Sequence, residues 1–383
     1  MESLVNPLIL AFLATAAAVP FLRAPAKALG WVDRPGGRKK HHKITPLTGG
    51  PAMAIGLAAG GLVMAPTHPF TFGALAFLFL VGFVDDRVDL SPTVKLAGKV
   101  FAAAAMVFGD GLVVTSLGAP LGFPVDLGVL SVPFTLFIIV GFLSALNMAD
   151  GSDGLAGTLT VITALAFLII GHFAGVAPSP LALLTLAVTG AFLLYNFPFR
   201  ERRRAKIFMG DSGSLLLGGL LSATAIDLFN TAGPAVPPLL IAAVLALPVF
   251  DCVILMGRRI SKGQSPMAAD RDHLHFIFER AGLGKRSIVF IIGAGLTFVS
   301  AFATLLWLAH APDYALTLLL AGVFAGHLTL MRRAWRSAQL VRTFTTLTGL
   351  AEKTAKEAPP RPALRVVSES PDGEAPRDVV SKS

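Results

Sequence analysis

Eleven stretches of 16 to 22 mainly apolar residues divide this chain, at 3–22, 47–66, 69–84, 97–116, 129–147, 155–174, 180–197, 212–230, 236–256, 288–309 and 314–331. A helix that crosses a bilayer needs about 20 such residues. Its backbone satisfies its own hydrogen bonds where no water is present. The pattern predicts an all-α, polytopic integral membrane protein with about eleven crossings. Composition agrees, because only 14% of the 383 residues are charged, against about 25% in a soluble domain.

The charges also orient the chain. All 32 Lys and Arg fall in alternate gaps: seven at 23–43, three at 87–99, five at 200–206, seven at 258–286 and ten from Arg332 onward. The intervening gaps hold none. Basic residues at helix ends mark the cytoplasmic side, so the N-terminus is expected outside and the C-terminus inside. This bias, with attraction to anionic lipid, accounts for the net charge of +9 without a nucleic-acid partner. Residues 1–22 carry no Lys or Arg, and a cleaved signal begins with a basic region. They therefore read as the first permanent helix. The single cysteine, Cys252, cannot form an intramolecular disulfide and reads as a buried, inert thiol. The expected organisation is a membrane domain over 1–331, an interfacial amphipathic helix over 332–351 and a disordered polar tail over 352–383.

The unusual polar residues lie on the basic side. The third stretch runs into Asp85-Asp86, with Lys95 ten residues after Asp85. Paired carboxylates at the edge of the hydrocarbon are costly and point to function. The fifth stretch runs into Asn147-Met-Ala-Asp150-Gly-Ser-Asp153-Gly154. Its oxygen donors suit a hard cation, although the later Glu of a calcium loop is missing. Asn196 ends the seventh stretch, and Phe208-Met-Gly-Asp211-Ser-Gly-Ser214 follows five basic residues. Alone, Asp211 would read as a helix cap. The last long basic loop contains Arg271-Asp-His273-Leu-His275-Phe276, where Arg and His suit a phosphate. Their spacing, with one distant Cys, fits no zinc site. Together these groups suit a divalent metal and a diphosphate, with a lipid as the membrane-bound partner. A transporter is the rival class, but its sites lie at mid-membrane on repeated halves. Here the polar groups gather at one face and no repeat is visible.

In order and side, the motifs resemble the polyprenyl-phosphate N-acetylhexosamine-1-phosphate transferases. The resemblance covers roughly residues 30–285, from the Asp33–Gly50 loop to the Pro266–His275 loop. It is nearest to the bacterial enzymes that use UDP-GlcNAc and undecaprenyl phosphate at the inner membrane to start envelope polysaccharides. Another UDP-N-acetylhexosamine or UDP-MurNAc-pentapeptide is the alternative donor. The resemblance implies Mg²⁺, with Mn²⁺ as the alternative, held by Asp211 and Asn147. It implies Asp85 and Asp86 as catalytic groups that position or deprotonate the acceptor. Lys95, Arg271, His273 and His275 would contact the diphosphate, and Asp150, Asp153 and Asn196 would shape its surroundings. Homodimers occur in the family, and no residue here signals one. Three positions depart from the family pattern: Phe276 stands for a third His, Ser144 for an Asn and Ser152 for a hydrophobic residue.

Overall fold

The computed structural model describes residues 2–33, 44–64, 67–199, 204–266 and 272–333, with Gln339 and Thr343. Its helices are α1 Glu2–Ala28, α2 Gly49–Met64, α3 Pro69–Val88, α4 Pro92–Ala104, α5 Ser131–Ala149 and α6 Leu155–Phe173. They continue with α7 Pro180–Asn196, α8 Gly210–Ala232, α9 Pro238–Ser261, α10 Leu274–Arg280, α11 Lys285–Leu308 and α12 Asp313–Arg332. The only sheet among the described residues is a two-residue antiparallel pair, β1 Val32–Asp33 with β2 Thr45–Pro46. Arg271, residues 34–43, and the expected interfacial helix and tail lie outside the described residues, apart from Arg332, Arg333, Gln339 and Thr343.

Among the described residues, eleven apolar helices fall on the eleven apolar stretches, and α10 is a short addition on a loop. Among the described residues, nine spans are long and apolar enough to cross a bilayer; α2 and α7, at 16 and 17 residues, are shorter. The fourth crossing differs most from expectation. It spans 92–109, with a π-helical last turn from Ala105 to Gly109, rather than 97–116. The reason is local. Asp89 ends α3 in the left-handed region at φ 51°, and Ser91 then caps α4 ahead of Pro92. Proline suits a first helical position, where its missing N–H has no partner to lose. Lys95 consequently sits inside the helix rather than in the gap before it, with Lys99 one turn further on. Residues 110–127 form an extended excursion closed by a bridge between Ser116 and Asp126.

Helix α8 is the axis of the bundle. Every residue from Ser212 to Ile226 is buried, and α2, α3, α5, α6 and α7 pack around it. A helix apolar on all sides is a core helix. Gly82 on α3 marks the closest approach, because a Cβ there would meet the backbone of Asp211 and Ser212. Buried hydroxyls of Thr15, Thr135, Thr160, Thr185 and Thr224 donate to carbonyls four residues back. No polar partner from another helix is then needed. The outer surface is apolar: Leu62, Phe108, Phe137, Phe298 and Leu318 are exposed, as lipid contact requires.

The two ends of the bundle differ in chemistry. One end is tied by carboxylates: Asp110 accepts from Phe70 and Thr71 N–H, and Asp313 accepts from Ala119 N–H at 2.8 Å. No Lys or Arg occurs in the connections at that end. Every described candidate site residue lies at the other end.

Candidate active site

The site begins where the N-terminus of α8 meets α3. Gly210 adopts φ +73°, and a Cβ there would strike the Asp86 carboxylate. Glycine allows both the turn and the approach. Asp86 Oδ1 then accepts the Asp211 N–H at 2.7 Å, and Oδ2 accepts the Ser212 N–H at 3.2 Å and its hydroxyl at 2.8 Å. These are orphan donors of a helix start, and a carboxylate there also complements the helix dipole. The chain leading to this turn is pinned separately. Phe208 N–H donates to Pro46 O, while Gly49 and Gly50 N–H donate to Phe208 and Met209 O, at 2.9–3.0 Å.

Asp85 turns toward α4. Its Oδ2 lies 2.7 Å from Lys95 Nζ, and its Oδ1 accepts the Leu90 N–H at 2.8 Å. Lys95 also lies 3.6 Å from Asp89 and 3.8 Å from Asp211 Oδ2. Its ammonium is therefore shared among three carboxylates. On the far side, Asn147 Nδ2 donates to Asp211 Oδ1 at 3.0 Å and to Ser214 Oγ at 2.8 Å. Asp211 joins the two halves. Helices α3, α4, α5 and α8 thus bring Asp85, Asp86, Lys95, Asn147 and Asp211 into one hydrogen-bonded cluster.

The remaining candidates split into two roles. Asp153 and Asn196 are buried and committed to the scaffold. Asp153 pairs with Lys285 Nζ at 2.8 Å and accepts the Ala205 N–H at 3.0 Å. Asn196 accepts from Gly154 N–H at 2.7 Å and donates to Ile207 O at 2.8 Å. Asp150 instead lies within electrostatic reach of Asp211 and Asp86. Burial, followed by the charges of Asp211, Asp86 and Asp153, raises its carboxyl well above the usual range. At the cluster, the carboxyl groups of Asp85, Asp86, Asp150 and Asp211 outnumber its one lysine, Lys95.

The two histidines stand beside the cluster. His273 Nδ1 lies 2.7 Å from Asp251 Oδ2, and His327 Nε2 lies 3.2 Å from Asp251 Oδ1. The Leu274 N–H also donates to Asp251, at 3.1 Å. One carboxylate on α9 thus fixes the histidine loop and ties it to α12. His275 stacks on His273 with centroids 5.5 Å apart, and its Nε2 has no hydrogen-bond partner among the described residues. That nitrogen faces Gly151, where a Cβ would collide with it. Burial, then His273, lowers His275 to about 4, so its ring is neutral at neutral pH. Phe276 packs on His275 with centroids 4.2 Å apart.

Sequence reasoning did not single out Lys99, Asp251, Lys285 or His327. Lys99, Asp251 and His327 are ionisable groups within otherwise apolar stretches, and that is the signal that could have found them.

Known proteins are similar to this chain along most of its length. Residues 69–229 match the family described as glycosyl transferase family 4. An Escherichia coli K12 protein named undecaprenyl-phosphate alpha-N-acetylglucosaminyl 1-phosphate transferase is 33% identical over 348 residues, 88% of this chain and 93% of that protein. A Yersinia pestis protein of the same name is 31% identical over 373 residues, 92% and 98% of the two chains. With the cluster assembled from the same ordered motifs, the chain belongs to the polyprenyl-phosphate N-acetylhexosamine-1-phosphate transferases of glycosyl transferase family 4.

Proposed function

We propose that this protein transfers GlcNAc-1-phosphate from UDP-GlcNAc to undecaprenyl phosphate, releasing UMP, on the cytoplasmic side of a bacterial inner membrane. The observation that carries the reading is the single cluster of Asp85, Lys95, Asn147 and Asp211 drawn from four helices at one end of the bundle. The relatives' names supply the donor sugar and acceptor. The orientation rests on the Lys and Arg residues, which are absent from the opposite connections.

In the reaction, an oxygen of the lipid phosphate forms a bond to the β-phosphorus of UDP-GlcNAc. The bond from that phosphorus to the oxygen bridging the two phosphates breaks, and UMP leaves with the electron pair. A phosphate monoester has its second pKa near about 6, so much of the acceptor is already dianionic at neutral pH. The chain's main task is therefore alignment and charge control. Asp86 fixes the start of α8, and Asp85 fixes Lys95. The His273–His275 loop borders the same site and would contact the diphosphate.

The donor set fits Mg²⁺. Asp211 and the Asn147 amide lie 3.0 Å apart, both side chains carry an oxygen donor, and Asp85 and Asp86 add negative charge that a divalent cation would offset. Mg²⁺ commonly takes one or two protein ligands and keeps several waters, so Asp211 and Asn147 would hold it. When bound, it would offset the charge of the diphosphate and the leaving UMP.

The test is transfer of radiolabel from UDP-GlcNAc to undecaprenyl phosphate by the purified full chain in detergent, with Mg²⁺ or with EDTA. Label in the lipid phase, UMP release and loss of both in EDTA are expected. Asp211→Asn should remove most turnover. Transfer only from a different UDP-sugar would replace the donor, and no transfer from any UDP-sugar by folded protein would refute the proposal.

A further inference from the structure

Two lysines approach the site from α4, and their surroundings differ. Lys95 is shared by Asp85, Asp89 and Asp211, so its charge is already compensated. Lys99 lies four residues further along the helix, about 6 Å deeper by helical rise. Its Nζ donates to Ser144 Oγ on α5 at 3.0 Å. Its electrostatic neighbours include Asp211, Asp85 and Lys95, but no carboxylate among the described residues lies within ion-pair distance. An ammonium inside a membrane-spanning helix is costly unless something offsets its charge. Nothing in the described protein does so by direct contact.

The face of α5 next to this lysine is also informative. Ser144, Gly141 and Phe137 follow one another at helical spacing on one side, and Gly141 and Phe137 are exposed. Phe101 on α4 is exposed as well. A cation thus stands at the head of an apolar stripe open to lipid. The ligand that fits both features is a phosphate with a long hydrocarbon tail. Building on the proposed function, we infer that Lys99 binds the phosphate of the polyprenyl acceptor. Lys95 is held by the protein's own carboxylates. The Lys99–Ser144 contact keeps the ammonium at that point until the lipid phosphate replaces the hydroxyl as its partner.

The experiment compares wild type, Lys99→Met and Lys99→Arg as purified full-length protein, measuring KM for undecaprenyl phosphate and for UDP-GlcNAc separately. Lys99→Met should raise the acceptor KM by about 10- to 100-fold, as expected for one lost charge-assisted hydrogen bond. The donor KM should stay within twofold, and Lys99→Arg should restore most acceptor binding. The melting temperature of Lys99→Met should not fall, because no protein carboxylate loses a direct partner. An unchanged acceptor KM, or a rise confined to UDP-GlcNAc, overturns the inference. A rise in both constants with a lower melting temperature also overturns it. If wild type transfers no sugar at all, the proposed function fails. Binding of radiolabelled undecaprenyl phosphate then decides the lysine alone: weaker binding by Lys99→Met upholds it, and equal binding refutes it.

Discussion

Replacing Asp86 separates a scaffold role from a proton-transfer role. The carboxylate accepts three hydrogen bonds at 2.7, 3.2 and 2.8 Å, two from N–H groups of the first turn of α8 and one from the Ser212 hydroxyl. In Asp86→Asn one oxygen remains and can keep the Asp211 N–H. The amide NH₂ then faces the Ser212 N–H, donor against donor, while the Ser212 hydroxyl can turn to accept. Stranding one buried N–H costs about 1–3 kcal/mol, and the lost charge at the helix start adds about 0.5–1 kcal/mol. The total is about 1.5–4 kcal/mol. At about 2 °C per kcal/mol, melting in detergent should fall by about 3–8 °C. Asp86→Ala strands both N–H groups and should melt lower still. Transfer should fall in the same order, because the turn that carries Asp211 loosens. Asp86→Asn with wild-type melting but no turnover would refute this reasoning and make Asp86 a base rather than a cap.

The other predictions concern packing, the histidine loop and pH. Gly82→Ala places a Cβ against the backbone of Asp211 and Ser212, so the helices must part. A displacement of about 1 Å at the site corresponds to about 100-fold in turnover, and retention within threefold would show the contact to be soft. Asp251→Asn removes the charge that holds His273 and His327. KM for UDP-GlcNAc should rise several-fold while the acceptor KM holds, and steady-state kinetics with each substrate varied in turn checks it. His275 is lowered to about 4 in the folded chain, so the unfolded chain takes the proton first, near 6.5. Its stabilising contribution is full above pH 6.5 and is lost as pH falls to 4, by about 3 kcal/mol. Melting curves of His275→Gln should therefore fall less steeply over that window than those of wild type, and parallel curves would contradict the burial.

Much of this protein was legible in the residue order. Apolar runs long enough for lipid specify helices wherever they occur, because a membrane leaves the backbone no other partner. The order of the motifs named the cluster, and Asp85, Asp86, Lys95, Asn147 and Asp211 meet as expected. Periodicity could not place the start of α4, because Asp89 in the left-handed region and Ser91 ahead of Pro92 decide it over three residues. A linear motif also does not say which atom faces which. Asp85 and Asp86 are neighbours in sequence, yet one binds a lysine on α4 and the other caps α8. Asp153 and Asn196, expected to shape the surroundings of the diphosphate, hold loops together through Lys285 and the Gly154 N–H, pairings that no local motif announces. Asp251 and His327 are 76 residues apart, and no local pattern pairs them. Covalent order and hydrophobic length determined the helices and gathered the chemistry at one end. The partner of each charged group was decided only by packing around α8, because hydrogen bonds act over about 3 Å and only the folded bundle brings distant residues that close.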